Sequence, residues 1–355
     1  MIKLSKLAAA VGACLLMGSV ATSHAQEVKK WALIGDLSYR PHFKKVETPF
    51  WTEDVAGVLG DQYEIQLRGW DTLGLKGPEV WHFIQQGTFT GGSTSLSRNA
   101  GEVAINEGLD LAGLAPTQDD LRKLLDAAYP MFSKYYEDHY GMKVLGFYAA
   151  PPQLTMCRKE IAGLESLKGL KVRVSGASQA KLMEQIGATP VNIAFAEVQT
   201  ALQTGVVDCG ITATLSAFNQ GWQEAAQYIY PLAINWQPNI IIMNLDVWNG
   251  LGAEVQDKIM ALLPDFYEKS WAQNLLEANG GLACMTGDPQ YGECPTSNEV
   301  GHMKVVDLNE SDRALIADAV KSAVVPLWAE RCGAECVDLW NGSVGEVVGI
   351  TASAE

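Results

Sequence analysis

Positive charge is scarce in this chain. Of 355 residues, 26 are lysine or arginine and 41 are aspartate or glutamate. Such a shortage argues against binding nucleic acid or an anionic membrane surface, since both are held by basic patches. Local catalytic signatures are absent as well. There is no GxSxG, HExxH, P-loop or GxGxxG segment, so nothing marks a nucleophile elbow, a zinc protease or a phosphate cradle. No CxxC pair occurs, and none of the five histidines stands at ligand spacing from a cysteine, which argues against a zinc site. Past the N-terminus no apolar run reaches the ~20 residues that a membrane-crossing helix needs. Internal repeats and low-complexity linkers are also missing.

What is present describes an exported α/β protein. The composition is 48% hydrophobic with 34 glycines, enough for one large or two medium domains with a sizeable core. The first residues read as a secretory signal. Lys3 and Lys6 precede an apolar stretch from Leu7 to Val20, and Ser23-His24-Ala25 is a small-x-small cleavage site. Cleavage is expected after Ala25, and the protein is expected in the periplasm. Val11-Gly12-Ala13-Cys14 loosely matches a lipoprotein box, but apolar sequence continues past Cys14, so simple export is preferred. Without the two signal lysines the formal charge becomes −17, which suits solubility. Six cysteines remain: Cys157, Cys209, Cys284, Cys294, Cys332 and Cys336. An even count in an exported chain implies disulfides, with 15 possible pairings. Short loops favour Cys284–Cys294 and Cys332–Cys336, which leaves Cys157–Cys209.

Strand and helix patterns alternate along the chain, which defines the α/β class. Lys29 to Ile34, Tyr63 to Trp70 and Val144 to Ala149 read as strands. Val46 to Val58, Gly77 to Gln86 and Asp119 to His139 have helical spacing, and Gly87–Ser97, rich in Gly, Ser and Thr, reads as a loop. Leu154 to Lys159 and Ile240 to Leu245 each follow a proline and suit strands that carry the chain between two domains and back. Between them lies KVRV, then a long helix-like stretch from Ser178 to Asp208. A helical run from Ala253, broken or kinked at Pro264, is expected to reach about Asn279, and a last one runs from about Ser311 to Arg331.

Arg173 is the most informative residue. A cation in an apolar strand has to face an anion, either a structural carboxylate or a ligand carboxylate gripped by the guanidinium fork. The helix that begins near Gly176 adds amide groups and a positive dipole end nearby. Thr212 and Thr214 follow a strand, where ligands of α/β sheets sit. Phe195, Trp222 and Trp236 are candidate pocket aromatics, with core packing as the alternative for each. Gln153 is a polar residue at a strand start. Ser93, within Gly91-Gly92-Ser93-Thr94-Ser95, offers a hydroxyl to an anion or lies in a solvated turn.

Four segments together resemble the solute-binding proteins of TRAP transporters, the DctP-type family. They are Leu167 to Val174 (LKGLKVRV), Gly187-Ala-Thr-Pro190, Ala194 to Asp208 (AFAEVQTALQTGVVD) and Asn244-Leu-Asp-Val-Trp248. The match is strongest over 145–250. The resemblance implies a two-domain periplasmic-binding-protein fold of the type II-like, Venus-flytrap kind, with crossing hinge strands. The expected division is 26–150 plus 239–278 for one domain and 151–238 plus 279–355 for the other. It also implies that Arg173 binds a carboxylate, that Phe195 packs on the ligand and that Thr212 takes the place of a common asparagine contact. Gln153 falls at or beside a position that in several members is a second arginine, which counts against a dicarboxylate. Ile211, Thr212 and Gln237 stand where metal-using members have acids, so no metal or other cofactor is expected. Cys209 replaces the family's usual small residue, consistent with a disulfide specific to this branch. The reading is a monomeric, non-enzymatic protein that captures a small organic acid and passes it to a TRAP permease. Trp236, with Phe195, would cover the apolar part of that acid. An exported sensor subunit, an enzyme on the same scaffold and a structural envelope protein are the rivals.

Overall fold

The computed structural model describes residues 28–75, 77–296 and 299–354; the expected signal segment lies outside them. β1 (Lys29–Gly35) leads into helical turns over 41–59 that close with α1 (Ala56–Leu59). β2 (Tyr63–Gly69), α2 (Pro78–Gln85), β3 (Gly91–Ser95), α3 (Gln118–Tyr140) and β4 (Met142–Ala149) follow. A second run holds β5 (Gln153–Cys157), β6 (Lys171–Val174), α4 (Ala177–Ile186), β7 (Thr189–Asn192), α5 (Val198–Thr204), β8 (Cys209–Ala213), α6 (Thr214–Asn219) and β9 (Tyr228–Asn235). The chain returns through β10 (Pro238–Asn244), α7 (Leu245–Asn249) and α8 (Ala253–Thr286). It ends with β11 (Lys304–Val305), α9 (Ser311–Ala319), α10 (Val325–Cys332), α11 (Ala334–Trp340) and α12 (Glu346–Val348).

Two sheets result. One has the order β2-β1-β3-β10-β4 and the other β11-β9-β5-β8-β6-β7. The chain crosses between them at the prolines noted in the sequence, from β4 through residues 150–152 into β5 and from β9 through 236–237 into β10, and returns to the second sheet once more through α8 into β11. β10 runs antiparallel to both β3 and β4, so the returning strand is stitched into the first sheet. Apolar clusters cover both sheets. One around Phe50, Trp51 and Phe266 packs on the first sheet, and one around Leu202, Trp222 and Met285 packs on the second. A third runs across both halves.

Three elements depart from the sequence reading. The Gly87–Ser97 segment contains β3, an inner strand whose five residues are all buried. Its glycines are a packing requirement: a Cβ on Gly92 (φ 151°) would lie 1.8 Å from the Ile34 carbonyl oxygen on β1. The helix-like stretch after β6 is interrupted by β7, a short, half-exposed strand beside β6. α8 runs unbroken through Pro264 and past Asn279 to Thr286. There Gly281 lets it lie flush on the start of α6, where a Cβ would stand 2.5 Å from the Leu215 backbone nitrogen.

The three cysteine pairs favoured by spacing are the ones formed. Cys157 and Cys209 sit directly opposite on β5 and β8, with Cα atoms 4.1 Å apart. The C-terminal helices bind to both halves. The Trp328 and Trp340 indoles donate to the carbonyls of Ala104 and Gly108, each at 2.8 Å. Asp312 accepts from the Leu164 amide and the Tyr230 hydroxyl.

Candidate functional site

The C-terminal ends of β1, β3 and β8 point toward one another, the place where open α/β sheets receive ligands. They enclose a cavity of about 280 Å3. Asp36, Tyr39, Arg40, Ser95 and Arg98 come from the first half; Thr212, Ala213, Ser216 and Asn219 come from the second. The two crossings contribute Ala150, Pro151, Gln237 and Asn239. A second space of about 440 Å3 shares Arg98 and Gln237 with the first and is bounded by Gln153, Asn235 and residues 175–179.

Arg173 is 6% exposed, on the strand beside β8. Its Nε donates to the Ile193 carbonyl at 3.2 Å and its Nη1 to the Ile211 carbonyl at 3.0 Å. Its guanidinium carbon lies 5.7 Å from the centre of the Phe195 ring. Thr212, next to the Ile211 acceptor, lines the cavity, whereas Arg173 and Phe195 line neither space. No described carboxylate approaches Arg173, which excludes the structural-salt-bridge reading within those residues. Burial pulls its pKa down to about 10, so it still carries its proton at neutral pH.

The other sequence candidates lie at different depths. Thr212 is in the cavity wall, and Phe195 is half-buried under the Arg173 guanidinium. Gln153 lines the second space. Its Oε1 accepts from Gln179 Nε2 at 3.0 Å, and the same Gln179 amide reaches Asn235. Trp236 is in the core that spans both halves, with its indole donating to the Ala115 carbonyl at 2.8 Å, and it lines neither space. Ser93 is wholly buried in the middle of β3. It offers its hydroxyl to an acid, as its segment suggested, but that acid is the protein's own Glu47. Thr214 turns to α8, donating to the Ala278 carbonyl.

The first turn of α4 does not stand open beside Arg173 as expected. The Ser178 amide donates to Glu107 at 3.3 Å, and Arg331 holds that carboxylate in turn. A carboxylate placed there answers the positive end of the helix dipole. Asp110 plays a similar part at the second crossing, accepting from the amides of Trp236 and Gln237 and from Asn235, each at 3.0 Å. These bonds hold Gln237 at φ 51°, the one described non-glycine residue with positive φ.

Sequence reasoning missed the cavity's charged wall and Asn239. Arg40 is committed to Asp36 and Glu277. Arg98 lies over the Trp70 ring at 4.4 Å and forms no ion pair with a described carboxylate. The available signals were a lone arginine among small residues (SLSRNAG) and a lone amide opening an apolar strand (PNIIIM).

Behind this wall Glu47 is 1% exposed, accepting from the Asp36 amide at 3.0 Å and from Ser93. Burial, aided by the Asp36 charge, pushes its carboxyl up to about 8 despite those hydrogen bonds. An unfolded glutamate titrates near ~4.3. Between these values the folded state holds a proton that the unfolded state has lost, so stability falls as pH rises through this window and stays lowered above it. Glu47→Gln, which mimics the protonated acid, is expected to melt above wild type at pH 9, with the gap closing toward pH 5. Parallel melts across pH check this; a constant gap refutes it.

A cavity with charged groups on its wall, set between two α/β halves, is the architecture of a protein that encloses a small molecule. Residues 40–279 match the model of the bacterial extracellular solute-binding protein family 7, DctP, and the chain belongs to that family. The C4-dicarboxylate-binding periplasmic protein DctP of Rhodobacter capsulatus is 28% identical over 179 residues, 50% of each chain. The chain thus spans about half the length of the curated relatives it matches. The fold is that of TRAP periplasmic solute-binding proteins. DctP7, a Bordetella pertussis extracytoplasmic solute receptor binding pyroglutamic acid, superposes with a TM-score of 0.69 at 22% identity, over 88% of this chain and 99% of its own. A Sulfitobacter protein with bound β-D-galacturonate gives 0.69 at 19% identity, over 88% and 99%.

Proposed function

We propose that this protein is a periplasmic receptor that captures a small organic anion in the cleft between its halves and delivers it to a TRAP membrane permease. One observation carries the reading: Arg173 is buried, charged and answered only by carbonyl dipoles. A buried cation without a counter-ion costs several kcal/mol, and a ligand carboxylate placed against it removes that cost. Thr212 and Gln153 would orient the remainder and Phe195 would back the guanidinium. The halves correspond to 26–150 plus 239–278 and 151–238 plus 279–355, the last segment also pinned to the first half. Closure about the two crossings is the functional step, and no covalent chemistry is required of the protein.

A thermal-shift screen of organic acids tests this. A true ligand stabilises by RT ln(1+[L]/Kd), about 2.7 kcal/mol at a hundredfold excess over Kd. Stabilisation by acids and not by their methyl esters supports the reading. Equal stabilisation by the esters refutes it.

A further inference from the structure

The crossing from β9 to β10 is bent into a conformation that its own residues disfavour. Gln237 stands in the left-handed region at φ 51°, where a residue with a Cβ is strained. Pro238 follows it and presses the preceding residue toward extended backbone. Support comes from Asp110 in the other half, 7% exposed. Its Oδ1 accepts from both the Trp236 and Gln237 amides, and its Oδ2 accepts from the Asn235 side chain. Two successive amides converge on one oxygen where the backbone curls into a nest; extended backbone would turn them apart. Asp110 is itself braced. The Trp328 and Trp340 indoles hold the Ala104 and Gly108 carbonyls of the turn just before it. A Cβ on Gly108 would stand 2.7 Å from the Trp328 ring, so that turn lies flush on the C-terminal helices. The curl also joins the two crossings. Gln237 lines both spaces of the cleft, and its carbonyl accepts from the Ala150 amide on the other crossing at 3.4 Å.

We propose that Asp110 is a positioning residue for capture: it acts through Gln237, whose left-handed backbone is the pivot that keeps the halves together, and opening returns Gln237 to extended backbone. This rests on the reading that the halves close about the two crossings, and it names the residues that govern the step. Strained backbone at a hinge persists only where its surroundings enforce it. Here the strain at Gln237 favours opening, and the carboxylate bonds to the Trp236 and Gln237 amides oppose it. The balance between open and closed states therefore lies with one carboxylate, which the C-terminal helices hold in place.

The test uses the unliganded, signal-free protein and reads the radius of gyration by small-angle X-ray scattering, with circular dichroism to confirm folding. Asp110→Ala removes the acceptors, and Gln237→Val places a β-branched residue where positive φ is least tolerated. Each is expected to shift the radius above the wild-type value. Gln237→Gly in the Asp110→Ala background is expected to recover at least half of that shift, because glycine takes left-handed backbone without a steric penalty. Should Asp110→Ala fail to fold, Gln237→Val against Gln237→Gly carries the same comparison: valine expands the protein and glycine does not. An unchanged radius in either folded variant, Asp110→Ala or Gln237→Val, overturns the proposal. So does an Asp110→Ala expansion that glycine leaves intact, since Asp110 would then be a structural anchor that does not act through Gln237. None of these measurements needs a ligand, so their failure leaves the anion reading to the acid screen, and a screen without a hit leaves the pivot standing.

Discussion

Arg173→Ala is expected to abolish the ligand-induced thermal shift while leaving the unliganded protein folded. Truncating one member of a buried charge pair costs about 2–5 kcal/mol of binding, which is roughly 30-fold to several thousandfold in Kd. The unliganded fold should tolerate the change. The substitution forfeits hydrogen bonds to the Ile193 and Ile211 carbonyls, but it also removes a charge that no described carboxylate neutralises. Arg173→Lys keeps the charge and loses the planar fork, so an intermediate affinity is expected. Calorimetry on both variants decides: wild-type affinity in Arg173→Ala would sink the carboxylate-clamp reading. Loss of the far-ultraviolet spectrum in the unliganded variant would show instead that the arginine is structural.

The second large effect concerns the cross-strand disulfide. Cys157 and Cys209 are 52 residues apart, and releasing a loop of that length costs about 4 kcal/mol through the entropy regained by the unfolded chain. The double variant Cys157→Ser, Cys209→Ser is expected to lose that much in urea titration. It also places two hydroxyls at fully buried positions in the middle of the second sheet, so the loss should not fall below the loop estimate. Cys332→Ser with Cys336→Ser releases only a short loop and provides the control, with a smaller loss. Equal losses for the two pairs would show that loop length does not govern stability here.

Much of the architecture was legible because one-dimensional pattern matched local physics. The alternation of β2, the apolar run of β1 and the amphipathic α3 follow from side-chain periodicity, and Thr117 caps α3 by accepting from the Asp120 amide. The prolines before the two crossing strands marked the crossings. Patterns failed where distant packing overrode local preference. Gly91-Gly92-Ser93-Thr94-Ser95 has loop composition, but the space between β1 and β10 admits only small residues. The helical run was expected to stop near Asn279, but α8 continues to Thr286, with Gly281 giving α6 a smooth helix surface.

The site divides the same way. By itself the sequence determined that a cation occupies an apolar strand, that six cysteines await pairing and that the signatures of common enzymes are missing. These are properties of residue type and neighbours. Only the tertiary structure decided what Arg173 faces, because a counter-charge arrives from residues far along the chain and here none of the described ones does. It also decided that Trp236 belongs to the core, that Glu107 answers the start of α4 and that Arg98 and Asn239 stand on the cavity wall. Burial and partnership are pairwise properties of a folded chain, and local periodicity carries no information about which distant groups meet.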